Sequence, residues 1–416
     1  MLLSIPKFQF RFVPALGNVI HPGNFHPVGA QRGAESMMAR AKPTTAPAAG
    51  SGGNWLVVGG SGGFGSAARA VLGLRRGAHT LNLSFDAQPN PESSNKIRKI
   101  GSPGFHRNLA IERGLRAAGL TARSLDGDAF APAMMAQVVD EIRTHFGGKL
   151  DGIVWALAAP RAIDPRTGNA VASALRPLGQ SVTIKTFSGR DGDTMPQVST
   201  VEIPPGSPEE AIATVFVMGG GVVAQWVDAL STAGVLAPGF TLLTISYRGN
   251  PLNEGVYRKG LIGLAKADLE FQTRALDAIA KREYGGRAIA VEGPAVVTEA
   301  SGGIPGVPFY LAHLLEVMGD RFEDPLASMQ RMFDDHFGAA GPTLDADHLL
   351  RMDDRELQAD IQSELARRFE GSKPGDAFPL ALHDRFLAEY ARTRGFEVAD
   401  VDYEAEFDTD AVCQLG

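Results

Sequence analysis

The sequence predicts an α/β fold built on a doubly wound, mostly parallel sheet. Three observations carry this reading. Short apolar runs alternate with longer segments of helical period, as when helices cover both faces of a sheet. The first strong run, Trp55-Leu-Val-Val58, passes directly into the glycine-rich turn Gly59-Gly-Ser-Gly-Gly-Phe-Gly65. The 416 residues, 44% hydrophobic and 21% charged, have the balance of a globular chain able to bury a large core.

Residues 1–54 read as an N-terminal arm and loop. The first dozen alternate polar and apolar side chains and lack the apolar stretch of a secretory signal. Residues 36–54, rich in Ala, Pro, Thr and Gly, suit a linker. From 55 to 416 we expect a single large α/β domain. Its strands are predicted at 55–58, 80–85, 122–125, 152–156, 241–246 and 287–291, all short and apolar. Helical patterns fill the intervals at about 64–76, 106–119, 132–147, 209–233 and 264–283. The alternation breaks at 181–203, where two β-branched runs flank Gly189-Arg-Asp-Gly-Asp193; this reads as a hairpin insertion. A helical C-terminal region, about 307–416, carries patterns at 307–319, 325–337, 346–370 and 380–394. Several of these open on Pro, Asp or Ser, as capping requires.

Composition narrows the function. A net charge of −7 argues against non-specific nucleic-acid binding. An anionic substrate would need a local basic patch, for which Lys96, Arg98 and Lys99 are the candidates. The single cysteine, Cys413, permits no intrachain disulfide and suits a reducing cytoplasm. No uninterrupted apolar run reaches the roughly 18–20 residues of a membrane span. A monomer is the favoured state. The acidic and histidine groups at 334–336 and 345–354 lack a metal-ligand spacing, so no metal site is predicted.

Gly59, Gly63 and Gly65 give the turn its tight backbone, a close approach to a phosphate, and a helix start whose N–H groups hold anions. Gly60, Ser61, Gly62 and Phe64 complete that turn. Phe85-Asp86 ends the second strand, where an acidic side chain binds the adenosine ribose and repels a 2′-phosphate. This favours NAD over NADP. Asp128-Ala129 follows the third strand, at the adenine end, and Leu157-Ala158 follows the fourth, at the nicotinamide end.

Nine residues separate Tyr257 from Lys266. At about 3.6 residues per turn, nine steps put two side chains on opposite faces of one helix. The two meet only if Tyr257 lies outside the helix and Lys266 in its first turns; Gly260 and Gly263 suit such a late start. A phenol there can stabilise an enolate oxygen and then protonate the carbon. A neighbouring ammonium lowers the phenol's pKa and can hold a ribose. Tyr247, at the end of the preceding strand, can bond the same carbonyl.

With these residues in place, the chain resembles the bacterial trans-2-enoyl-acyl-carrier-protein/enoyl-CoA reductase family. The resemblance rests on His26-Pro-Val-Gly29, Gly127-Asp-Ala-Phe130, Leu157-Ala-Ala-Pro-Arg161, Val217-Met-Gly-Gly220, the Tyr257/Lys266 segment, Ala295-Val-Val-Thr298 and Val401-Asp-Tyr403. It implies a short-chain-dehydrogenase-like core with extra substrate-covering helices. It also implies NADH-dependent reduction of a trans-2-enoyl thioester carried by CoA or carrier protein. In that family's scheme Tyr257 is the proton donor, Tyr247 the substrate contact and Lys266 the cofactor contact. Ala295, Val296 and Val297 line the cofactor, with Thr298 close by. The chain departs from the family pattern at Leu252-Asn-Glu-Gly255, at Glu299 and at Gly302-Gly303. Two alternatives stand beside this reading: a reductase of another activated alkene or carbonyl, and a non-catalytic nucleotide binder.

Overall fold

The alternating apolar runs pair into one sheet in the computed structural model, which describes residues 1–190, 194–338 and 341–415. We number its strands β1 (Asn54–Val58), β2 (His79–Ser84), β3 (Ala122–Asp126), β4 (Leu150–Trp155), β5 (Leu236–Ser246), β6 (Arg287–Glu292) and β7 (Leu349–Arg351). Their order is β7-β6-β5-β4-β1-β2-β3, and every pairing is parallel. The chain reverses direction across the sheet between β1 and β4. The connections leaving the carboxyl ends of those two strands therefore run to opposite faces and leave the crevice where such sheets bind ligands.

The helices are α1 (Pro27–Ala41), α2 (Gly63–Arg76), α3 (Pro103–Ala117), α4 (Pro132–His145), α5 (Pro208–Met218), α6 (Gly221–Thr232), α7 (Leu261–Ile279), α8 (Val307–Met318), α9 (Pro325–His336), α10 (Ala359–Gly371) and α11 (Leu380–Arg392). Side chains alternate across β1 with the period of two that a strand imposes. Trp55 and Val57 pack with α1, α2, α3 and α9 on one face, while Leu56 and Val58 pack with α4, α6 and α7 on the other. A third, aromatic core joins α8, α10 and α11 to the hairpin Val182–Phe187/Val198–Ile203, with Phe187 stacked on Phe378 at 4.6 Å between centroids. The tip of that hairpin, 191–193, lies outside the described residues.

Three expectations change. The N-terminal 54 residues are more than an arm and loop: they hold a hairpin (Phe10–Val13 with Val19–Pro22) and α1. The His26 ring accepts from the Gly29 N–H and caps α1, Pro27 opens it, and small residues let it pack closely on α3. The helix expected at 209–233 is two, broken at Gly219-Gly220. As one stretch, Pro208–Thr232 is long and apolar enough to cross a membrane. It is bent, however, and Val222, Val223, Trp226, Val227 and Leu230 are buried in the main core. Finally, the helix expected over 346–370 begins only at Ala359, because Leu349 and Leu350 extend the sheet beside β6 and are buried there.

Candidate active site

The site grows from the glycine turn after β1. Gly59 adopts φ +86°, and a Cβ on Gly65 would lie 2.2 Å from the Gly59 carbonyl oxygen, so α2 comes this close to the strand only without side chains. No side chain caps α2 at Gly62. Its first-turn N–H groups are thus available to an anion, and the turn fits a dinucleotide's pyrophosphate. Asn82 Oδ1 accepts from the Gly60 N–H at 2.9 Å and fixes the turn from below.

Tyr257 sits in the turn 251–259, outside α7, and Lys266 on the second turn of that helix. A Cβ on Gly263 would lie 2.2 Å from the Arg258 carbonyl oxygen, so this glycine allows the helix to start against the tyrosine turn. Tyr247 directly follows β5, and its ring meets that of Tyr257 edge to face at 5.0 Å. Tyr247, Tyr257 and Lys266 line one cavity of about 430 Å³ with Gly59, Ser61, Gly62, Gly63, Phe64, Leu157, Ala158, Ala295, Val296 and Thr298.

The other predicted contacts lie elsewhere. Phe85 is 79% exposed at the outer end of β2. The Asp86 carboxylate accepts from Ser84 Oγ (2.8 Å), Ser102 Oγ (3.1 Å) and Asn108 Nδ2 (3.2 Å), beside the start of α3. Asp128 Oδ1 accepts from the Phe130 N–H, whereas Ala129 is core and its carbonyl accepts from Trp226 Nε1. Val297 packs into the aromatic core. The acidic groups at 334 and 345–354 pair with Arg75, Arg331 and Arg351.

Burial, then the carboxylate of Glu356, pushes the Tyr257 phenol well up, and the same two causes raise Tyr247. The spacing argument expected the ammonium to pull Tyr257 down. Burial and a negative neighbour prevail instead, and both phenols stay protonated. Lys266 is only 6% exposed and burial lowers it, opposed by Glu292 and Glu270. Glu270 is held low by Arg248 and Arg258 despite its burial. Glu292 is fully buried, its carboxylate oxygens have no hydrogen-bond partner among the described residues, and it is pushed up to about 7 by burial and the Glu270 charge.

Sequence reasoning missed Asn253, Tyr310 and Glu356. Asn253 Nδ2 donates to the Tyr247 hydroxyl at 3.1 Å while its Oδ1 accepts from the Asn250 N–H at 2.8 Å. Only its place among the departures before Tyr257 signalled it. Arg107 also went unread: it donates to the Ser61 carbonyl and pairs with Glu299, which also pairs with Arg394 at 3.2 Å.

Residues 99–337 match the family described as trans-2-enoyl-CoA reductase catalytic region, which is more than half of the chain. The chain belongs to the trans-2-enoyl-CoA reductase family. Residues 14–91 of the reductase match that family's NAD(P)H binding domain. An enoyl-[acyl-carrier-protein] reductase [NADH] of Burkholderia multivorans is 36% identical over 358 residues, 85% of this chain and 86% of its own. One of Xanthomonas axonopodis pv. citri is 34% identical over 394 residues, 92% and 94% of the two chains. Among solved structures, a Clostridium acetobutulicum trans-2-enoyl-CoA reductase in complex with NADH superposes with TM-score 0.87 at 29% identity, covering 100% of both chains. The Treponema denticola enzyme in complex with NAD gives 0.84 at 32%, covering 98% of both.

Residues 344–407 match a domain described as enoyl reductase FAD binding. The reductase does not fit that group there. The strand in this segment, β7, runs into Met352-Asp-Asp-Arg-Glu356 instead of a glycine turn. The helices of the segment are packed in the aromatic core.

Proposed function

We propose that Tyr257 is the proton donor of this enzyme, with Tyr247 on the substrate carbonyl and Lys266 on the cofactor. The protein is an NADH-dependent reductase of trans-2-enoyl thioesters. NADH, when bound, supplies the hydride that adds to the β-carbon. The observation that carries the assignment is the meeting of two protonated phenols and a buried ammonium in one cavity at the glycine turn. Enolate charge builds on the thioester oxygen. Tyr257 donates a hydrogen bond to it and then gives its proton to the α-carbon, which leaves the saturated acyl thioester. Asn253 donates to the Tyr247 hydroxyl oxygen, which leaves the hydroxyl proton for the same substrate oxygen. Met218, Ile262, Ile304, Val307 and Leu311 give the far wall an apolar surface that suits an acyl chain.

The test is NADH oxidation with crotonyl-CoA, with longer trans-2-enoyl-CoAs, and with the same acyl groups on carrier protein. Turnover of one carrier series over the other names the natural thioester. No turnover with any, despite NADH binding, would overturn the assignment. We place the enzyme in the cytoplasm, in keeping with its single cysteine.

Cofactor choice gives a further expectation. The Asp86 carboxylate lies just past the end of β2 with three donors around it. NADH is expected to give the higher kcat/KM, and Asp86→Ser to narrow or reverse the gap to NADPH. A wild-type preference for NADPH would show that Lys96, Arg98 and Lys99 dominate instead.

A further inference from the structure

The segment matched to a flavin domain brings one side chain to the catalytic site. Glu356 lies in the turn after β7, is 1% exposed, and belongs to none of the site elements foreseen from the sequence. Its carboxylate accepts three hydrogen bonds from three parts of the site. Asn250 Nδ2 donates to Oε1 at 3.1 Å, the Tyr310 hydroxyl to Oε1 at 2.6 Å, and the Ala295 N–H to Oε2 at 2.6 Å.

Each partner leads to the cavity. Asn250 opens the turn that carries Tyr257: its Oδ1 accepts from the Leu252 N–H, its carbonyl from the N–H groups of Asn253 and Glu254, and Asn253 O from the Tyr257 N–H. Ala295 begins the cavity-lining loop after β6, and Tyr310 lines the cavity from α8. We propose that Glu356 is a positioning residue for the reduction, its buried carboxylate fixing the catalytic turn, the loop after β6 and the substrate helix in one arrangement.

A bare carboxylate in this place needs its three donors, and three elements need an acceptor; an apolar side chain would orphan all three. Its charge does a second thing. The groups facing it are Tyr247 just after β5, Tyr257 from the turn, Tyr310 from α8 and Asp353 from its own turn. All three phenols are raised by it. Burial raises the Glu356 carboxyl and its three donors oppose that, and a donor whose conjugate base faces its charge keeps its proton until the substrate enolate offers a better site.

The proposal rests on Tyr257 as donor, so its test has a part that does not use turnover. Full-length Glu356→Gln and Glu356→Asp variants are titrated without NADH, and phenolate absorbance is followed to about pH 11, just above the ordinary tyrosine value of about 10. Glu356→Gln, which loses the charge, is expected to show an added phenolate step absent from wild type. Glu356→Asp, which keeps it, is expected to show none. In turnover, Glu356→Gln is expected to lower kcat about 10-fold or more and move the alkaline limb of kcat down by about one pH unit. Glu356→Asp is expected to lower kcat and leave that limb in place.

A folded Glu356→Gln protein with wild-type titration and pH profile would overturn the proposal. If Glu356→Gln does not fold, Glu356→Asp decides, and wild-type kcat in that variant overturns it. Failure of Tyr257 as donor is read separately: the added phenolate step would persist while Tyr257→Phe stayed active.

Discussion

Tyr257→Phe is expected to lower turnover on a good enoyl substrate by about 10²-fold or more while leaving NADH affinity nearly unchanged, the scale of losing a positioned acid or oxyanion donor. The variant keeps the ring that meets Tyr247 at 5.0 Å and the turn that holds it. Only the hydroxyl goes, and with it both the enolate's hydrogen bond and the proton for the α-carbon. Single-turnover kinetics and NADH fluorescence titration separate the two quantities. Near wild-type turnover would make Tyr257 structural and leave Tyr247 as the leading donor.

Lys266→Ala is expected to weaken NADH binding and turnover together, and to destabilise the fold more at pH 8.5 than at pH 6. The ammonium is buried with Glu270 and Glu292, and Glu270 already has Arg248 and Arg258. Without Lys266, Glu292 loses a counter-charge, and its nearest remaining cation is Arg248 Nε at 3.8 Å. The sign follows from proton linkage. Glu292 sits at about 7 when folded against 4.5 ordinarily, so the folded state binds more protons between those values. Its burial is tolerated below 4.5 and increasingly opposes folding as pH rises through about 7. The variant should widen that loss at alkaline pH. Thermal melts of both proteins at the two pH values check this, and an equal drop at both would remove Glu292 from the account.

The departures from the sequence reading share a cause. Leu349-Leu350-Arg351 is too short to show a period, and pairing with β6 made it a strand. The segment 209–233 has a continuous apolar pattern, but it breaks at Gly219-Gly220, where the chain comes so close to α7 that a Cβ on Gly220 would lie 2.5 Å from Gln272 Cβ.

Local chemistry alone determined a good deal. The Trp55–Val58 run and its glycines required a strand-turn-helix, because only glycine permits φ +86° at position 59 and the approach at position 65. The six longer strands followed from apolar alternation with helices. The nine-residue step from Tyr257 to Lys266 required the helix to begin between them, because helical geometry puts that spacing on opposite faces. Tertiary structure alone decided the state of the site. Whether a phenol holds its proton depends on desolvation and on nearby charge, and for Tyr257 that charge comes from Glu356, far along the chain. Spacing records neighbours along the helix axis, and electrostatics acts through space, which only the folded chain fixes.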